Sequence, residues 1–207
     1  MKLIIFGATS VLGHQLVTTA LQQGHTVTAF GRSPNKLAMT DSELNFFRGD
    51  VLDPGSVQQA MQGMESVICS LGAGRKGVVR SVGTRNIVSA MQQGSARRLI
   101  CQTTLGVGDS RQNLDFFWKY VMFGMLLKAA FADHVEQERW VRESNLDWTI
   151  VRPGAFTNGS RTGEYRHGFA ANDRTTPLKI SRADLADFLL RQLVDDTYLR
   201  QAVGISY

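Results

Sequence analysis

The sequence predicts an α/β fold: one domain built as a doubly wound, three-layer sheet of mostly parallel strands with helices on both faces. Strand-like and helix-like patterns alternate from one end of the chain to the other, the mark of repeated strand–helix–strand units. The strand-like runs are short and nearly continuously apolar, as expected where a sheet is covered on both faces. The first run, Lys2-Leu-Ile-Ile-Phe6, leads into Gly7-Ala-Thr-Ser-Val-Leu-Gly13, a glycine turn that opens a helix. A chain of 207 residues can bury one sizeable core, and no repeat, low-complexity tract or Pro/Ser-rich linker divides it. The reading is therefore a single unit over 1–207, with a small substrate-side portion from about 152 to 207.

Taken in order, 2–6 is the first strand and 11–23 the first helix. Strands follow at 26–30 and 44–48, then a short helix at 56–61 preceded by Asp53-Pro54, where Asp53 suits a helix cap. A strand at 66–70, a helix at 79–92 and a strand at 98–103 continue the alternation. Residues 115–144 read as mostly helical with a bend. A strand at 146–151 ends at Arg152-Pro153. Ser181, with Asp184 three residues later, opens a helix over 182–194, and 202–206 is the last strand.

Composition excludes several classes. Apolar content of 43% and charged content of 20% are those of a soluble globular protein. The net charge is +5, but the basic residues are scattered with no dense Lys/Arg run, so no nucleic-acid partner is expected. The apolar stretch 120–132 is interrupted by Lys128 and too short to span a bilayer, and the N-terminus runs directly into a strand, so neither a membrane partner nor a signal peptide is expected and the location is read as cytoplasmic. Cys69 and Cys101 sit inside apolar strand runs and read as reduced core residues. His14, His25, His134 and His167 are scattered, so no metal site is expected.

The glycine turn points to a dinucleotide. Gly7 permits the tight turn, and Gly13 permits close packing of helix on strand. The N–H groups at the helix start, around Val11 and Leu12, are placed to face a pyrophosphate, with the helix dipole favouring its charge. Ser10 stands where a middle glycine is common; its small hydroxyl can donate to a phosphate oxygen. The end of the second strand distinguishes cofactors. An NAD site usually has Asp or Glu there for the ribose hydroxyls, yet 26–36 contains no acid. Arg32 occupies that place, Ser33 adds a hydroxyl and Lys36 adds charge, so NADP(H) is favoured over NAD(H). After the third strand, Asp50 is placed to accept from an adenine amino group, or as a loop acid to cap the next helix, a role that Asp53 fits better, and Val51 to pack on the ring edge. Leu71 and Gly72, after the fourth strand, let backbone lie against ribose and diphosphate.

These residues, together with Arg48-Gly-Asp50, Trp148-Thr-Ile-Val-Arg-Pro-Gly154 and Ile180-Ser-Arg-Ala-Asp-Leu-Ala186, resemble an atypical short-chain dehydrogenase/reductase. The similar subgroup is the compact NAD(P)H-binding proteins of NADH-flavin reductase and biliverdin-IXβ reductase type, near the NmrA-like regulators. The resemblance covers nearly the whole chain and implies a Rossmann-type sheet in the order 3-2-1-4-5-6 with a short C-terminal addition. It implies that Gly7, Thr9, Ser10, Arg32, Asp50 and Leu71 line the cofactor, that Thr103 and Thr104 end the strand beneath the nicotinamide, and that Pro153, Gly154 and Ala155 form the loop beside it. Thr104 matches an active-site Ser of similar reductases.

The usual acid of short-chain dehydrogenases, a Tyr followed four residues later by Lys, is absent: Tyr120, Tyr165 and Tyr198 are followed at that offset by Gly124, Phe169 and Ala202. This disfavours alcohol/ketone interconversion. Thr104 and His134 remain as catalytic candidates, with Glu138 on the same helical face as His134 to charge it as a proton donor or to form only a structural pair. Phe156 is placed to stack on a flat substrate or to fill core. The set suits an NAD(P)H-dependent reductase of a planar acceptor such as a flavin, quinone or tetrapyrrole, where positioning does most of the work. The second reading is a non-catalytic NADP(H)-binding sensor of NmrA type.

Overall fold

A computed structural model describes residues 1–33, 36–75 and 77–207. The strands are β1 (Lys2–Phe6), β2 (Thr26–Gly31), β3 (Leu44–Arg48), β4 (Ser66–Cys69), β5 (Arg98–Gln102), β6 (Asp147–Pro153), β7 (Ala155–Thr157), β8 (Arg166–His167), β9 (Lys179–Ser181) and β10 (Gln201–Ser206). The α-helices are α1 (Val11–Gln22), α2 (Pro54–Ala60), α3 (Val79–Gln93), α4 (Lys128–Arg142) and α5 (Arg182–Arg191). The main sheet runs β3-β2-β1-β4-β5-β6-β10-β8, which is the 3-2-1-4-5-6 order extended by two strands, β10 and β8. All its pairings are parallel except the edge pair of β8 with β10. A small parallel pair, β7 with β9, stands beside it.

Alternation along β1 assigns the two cores. Leu3 and Ile5 point to one face, where α1 and α5 cover them with Leu16, Val17, Leu185 and Leu189. Ile4 and Phe6 point to the other, against Val57 of α2, Ile87 and Met91 of α3 and Val141 of α4. These four side chains are fully buried, so β1 carries hydrophobic contact on both faces. The sheet reverses direction between β1 and β4, and the loops after their carboxyl ends open a crevice there.

The differences from the sequence reading are local. β6 continues through Pro153, because the strand's far edge is taken up by β10 and the Pro153 carbonyl accepts from Leu105 N at 3.0 Å. The last helix closes at Arg191, three residues short, with Leu193 N turning back to Leu190 O. The helical stretch at 115–144 is two helices: a wide π-type turn, Phe117–Leu126, and α4, which break at Leu127 with φ of −118°. β7, β8 and β9 are two or three residues long, too short to show a period in the sequence. Among the described residues no helix is long and apolar enough to cross a membrane.

Candidate functional site

Two clefts lie along the carboxyl ends of the strands and share Ser10, Leu71 and Gly72. The first, about 460 Å³, is framed by loops after β1, β2 and β3. Backbone makes most of it. Gly7 has φ of +90°, and a Cβ there would stand 2.0 Å from the Ser70 carbonyl oxygen, so only glycine lets the first turn pass the β4 loop. A Cβ on Gly13 would meet Gly7 O at 2.2 Å and Ala8 C at 2.5 Å. Gly13 therefore lies behind the cleft and sets the helix against the turn. Ser10 is the N-cap of α1: its Oγ accepts from Gly13 N at 2.9 Å, which leaves its O–H free to donate. Val11 and Leu12 follow on the wall of the second cleft, at the positions whose N–H groups a helix leaves without internal partners.

Farther along this cleft, β2 ends at Gly31, packed against the Thr9 side chain, and Arg32 projects exposed at the rim. Asp50 Oδ1 accepts from Leu52 N at 3.0 Å, so this carboxylate braces its own loop while lining the cleft. Val51 lies beside it, nearly buried. Asp53 caps α2 by accepting from Gly55 N. Ser33, expected next to Arg32, does not line the cleft; its carbonyl accepts from Lys36 N at 3.2 Å, and Lys36 reaches the wall instead.

The second cleft, about 350 Å³, is bounded by the ends of β4, β5 and β6, by β7, and by the π-type helix. Leu105, Leu114, Trp118, Phe123, Leu127 and Leu178 make it apolar. Thr104 stands half-buried on its floor; its hydroxyl makes one long contact, to Leu105 O at 3.4 Å, and can turn to a ligand. Pro153, Gly154 and Ala155 form the facing wall. Gly154 is required because a Cβ would lie 2.5 Å from the Leu178 carbonyl carbon, where β9 approaches.

His134 also lines this cleft, but not in the expected state. It does not pair with Glu138. Its Nδ1 lies 2.9 Å from Gln137 Oε1, while Gln137 Nε2 donates to Thr84 Oγ1 and Cys101 Sγ. With the Gln137 oxygen as acceptor, Nδ1 carries the proton and Nε2 keeps a lone pair. Burial, and then the nearby Arg80 charge, push the imidazole down to about 4. The ring is neutral near pH 7, an acceptor and a poor acid, which corrects its reading as a charged proton donor.

Glu138 is engaged elsewhere. Arg152, 2% exposed, grips it with Nε on Oε1 at 2.8 Å and Nη2 on Oε2 at 2.7 Å. Arg152 Nη1 also reaches Asp109 at 2.5 Å, tying down the turn that leads to the π-type helix. Thr103 Oγ1 donates to Glu138 Oε1 at 2.9 Å, so the Thr103 hydroxyl is committed inward and only the rest of that residue faces the cleft. Burial opposes charge on Arg152, and the carboxylates of Glu138 and Asp109 more than offset it. Nothing in the sequence pattern signals this network, since its members are dispersed along the chain, at 103, 109, 138 and 152. A second unexpected element is Asp133, which caps α3 from a different helix by accepting from Arg80 N and Ser81 N at 3.0 Å each. Burial works against its ionisation, but the Ser81 and Arg80 hydrogen bonds hold it below the usual carboxylate range.

Cys69 and Cys101 face each other across β4 and β5, fully buried and unbridged, as small core residues do. No group of His, Cys, Asp and Glu suited to a metal occurs among the described residues.

A glycine turn closed against a neighbouring loop, a capped helix start with outward N–H groups and a basic rim fit a dinucleotide. A sequence family described as NAD(P)H-binding matches residues 7–196. The chain belongs to that family. Over 211 residues this NAD(P)H-binding protein is 25% identical to UPF0659 protein YMR090W of Saccharomyces cerevisiae, covering 94% of this chain and 87% of the relative. It is 24% identical to photosystem II assembly factor Ycf39 of Synechocystis, covering 99% of this chain but 62% of that longer protein. Among solved structures it superposes with a TM-score of 0.83 and 22% identity on ChuY, an anaerobillin reductase from Escherichia coli, covering 100% and 97% of the two chains. A short-chain dehydrogenase/reductase from Veillonella parvula in complex with NADP gives 0.82 at 21% identity, covering 100% and 94%. At these identities the structural likeness is one of fold.

Proposed function

We propose that this NAD(P)H-binding protein is an NADPH-dependent reductase of a planar acceptor: a flavin, a quinone-like ring or a tetrapyrrole. The observation that carries the reading is the second cleft, apolar and aromatic-walled, sharing Ser10, Leu71 and Gly72 with the dinucleotide cleft, and lined among the described residues by hydroxyls, two guanidinium groups and a neutral imidazole but by no carboxylate. Gly7, Thr9 and Ser10 of the first cleft, with Val11 and Leu12 of the second, are placed to hold the diphosphate, Arg32 and Lys36 a ribose 2′-phosphate, and Asp50 with Val51 the adenine. When bound, the nicotinamide supplies hydride to an electron-poor ring atom. This chain's share is orientation. Pro153, Gly154 and Ala155 form a wall that fixes one ring face, Thr104 offers a hydrogen bond, and Trp118, Phe123 and Leu127 exclude water from a flat partner. With His134 neutral, the proton that completes reduction comes from solvent.

The neutral His134 and the missing Tyr/Lys pair equally favour one other reading, an NADP(H)-binding regulatory protein without turnover. The anaerobillin reductase likeness supports the enzyme. Calorimetric titration with NADPH and NADH, followed by steady-state NADPH oxidation with FMN, riboflavin, biliverdin and a soluble quinone, tests both parts. Tighter NADPH binding with saturable oxidation supports the reductase. Tight binding with no acceptor consumed supports the regulator, and equal affinity for the two cofactors removes the role given to Arg32.

A further inference from the structure

Among the described residues the acceptor cleft has basic side chains on its walls and no acidic one: Arg80, His134 and Arg182 line it, and neither Asp nor Glu does. Two of these are accounted for. His134 is neutral, and Arg80 lies against Asp133 at 3.5 Å. Arg182 is different. It is half-buried at the start of α5, and no carboxylate pairs with it among the described residues. Its contacts are all neutral. Nη1 donates to Thr157 O at 3.2 Å and to Asn158 Oδ1 at 2.5 Å, and the guanidinium carbon stands 5.3 Å from the centre of the Phe156 ring, itself a cleft residue. These contacts fix the position of the guanidinium without cancelling its charge. Nε and Nη2 make no hydrogen bond among the described residues.

A guanidinium held by neutral partners beside an apolar cleft is matched to a planar, two-oxygen anion, which it takes with parallel charge-assisted bonds. Resting on the reductase reading, we infer that Arg182 anchors an anionic group of the acceptor, a carboxylate or a phosphate, and that the site prefers planar acceptors bearing such a group over neutral ones. Phe156 gives the anchor its platform, and the aromatic wall of Trp118 and Phe123 takes the ring.

Matched acceptors test this, because each pair shares one ring system and differs in the anion. FMN against riboflavin probes phosphate; biliverdin against its dimethyl ester probes carboxylate. The parent protein should show a KM roughly 10- to 100-fold lower for the anionic member of at least one pair, the span of one or two hydrogen bonds to a charged group. Which pair shows it identifies the anion. Arg182→Gln retains amide donors for Thr157 and Asn158 while removing the charge, and should bring that ratio toward one. Arg182→Lys should restore part of it, and added salt should shrink it in the parent. A parent ratio near one for both pairs overturns the inference, as does a ratio that survives in Arg182→Gln. If neither acceptor is reduced, the reductase reading has failed separately. The anchor is then read by quenching of flavin fluorescence on titration into NADP⁺-loaded protein, where equal binding of FMN and riboflavin by the parent counts against it and an FMN preference lost in Arg182→Gln supports it.

Discussion

At the dinucleotide end of the cleft, the limiting dimension is the 2.0 Å between the Ser70 carbonyl and a Cβ that Gly7 lacks. At the acceptor end it is the 2.7–2.8 Å grip of Arg152 on Glu138, two side chains from different elements that meet beneath Thr103. The first end is made by backbone from short contiguous stretches at 7–13, 31–32 and 49–52. The second is made by side chains from β5, β6, β7, α4, α5 and the π-type helix. A site built of backbone tolerates changes in the side chains that project from it, whereas a site resting on a buried charged pair does not.

Glu138→Ala should show the larger sensitivity. It leaves Arg152 buried with only Asp109, and should destabilise the fold by about 3–5 kcal/mol. Denaturant titration measures it; a loss below about 1 kcal/mol, the range of an exposed pair, would mean solvent reaches this network. Next, Gly13→Val forces α1 off the Gly7 turn and should abolish NADPH binding while destabilising by roughly 3 kcal/mol. Retained NADPH affinity in that variant would contradict the close packing of helix on turn.

This contrast also explains what the sequence disclosed. The alternation of strands and helices follows from periodicity, and the tight turn and close packing at 7 and 13 follow from their glycines, which are local signals. The strand order came with the family resemblance. Arg32 and Asp50 could be named as candidates because they follow strand ends. The acceptor end was only partly so. His134 and Glu138 are four apart on one helix and read as a pair, yet Gln137 takes the imidazole and Arg152 takes the carboxylate. No helical spacing announces a partner that arrives from β6. Arg182 read only as a residue next to a helix cap, because its relation to Phe156 depends on the pairing of β7 with β9.

Arg32→Ala should leave apo stability unchanged, since Arg32 is exposed and holds nothing in place. It should cost roughly 1.5–3 kcal/mol of the preference for NADPH over NADH. A shift in apo melting temperature would place Arg32 in the scaffold instead. The remaining effect concerns acid. His134 has a folded pKa of about 4, below its ordinary value of 6.5, so the unfolded chain takes up the proton first. Stability is therefore full above pH 6.5 and falls as pH drops toward 4, with a slope of at most about 1.4 kcal/mol per pH unit from this one group. His134→Asn should flatten that stretch of the curve, and an unchanged slope would show that other groups dominate it.

The central claim is that this chain aligns NADPH with a planar acceptor and needs no ionised acid to do so. Anaerobic single-turnover mixing of the NADPH-loaded protein with FMN, from pH 6 to 8.5, tests it most directly. The account predicts one NADPH oxidised per FMN reduced, at a rate that saturates with FMN and follows no titration near His134's ordinary pKa of 6.5. NADPH that stays bound and unoxidised, or a rate that rises and falls with a protonated group near that value, would contradict it.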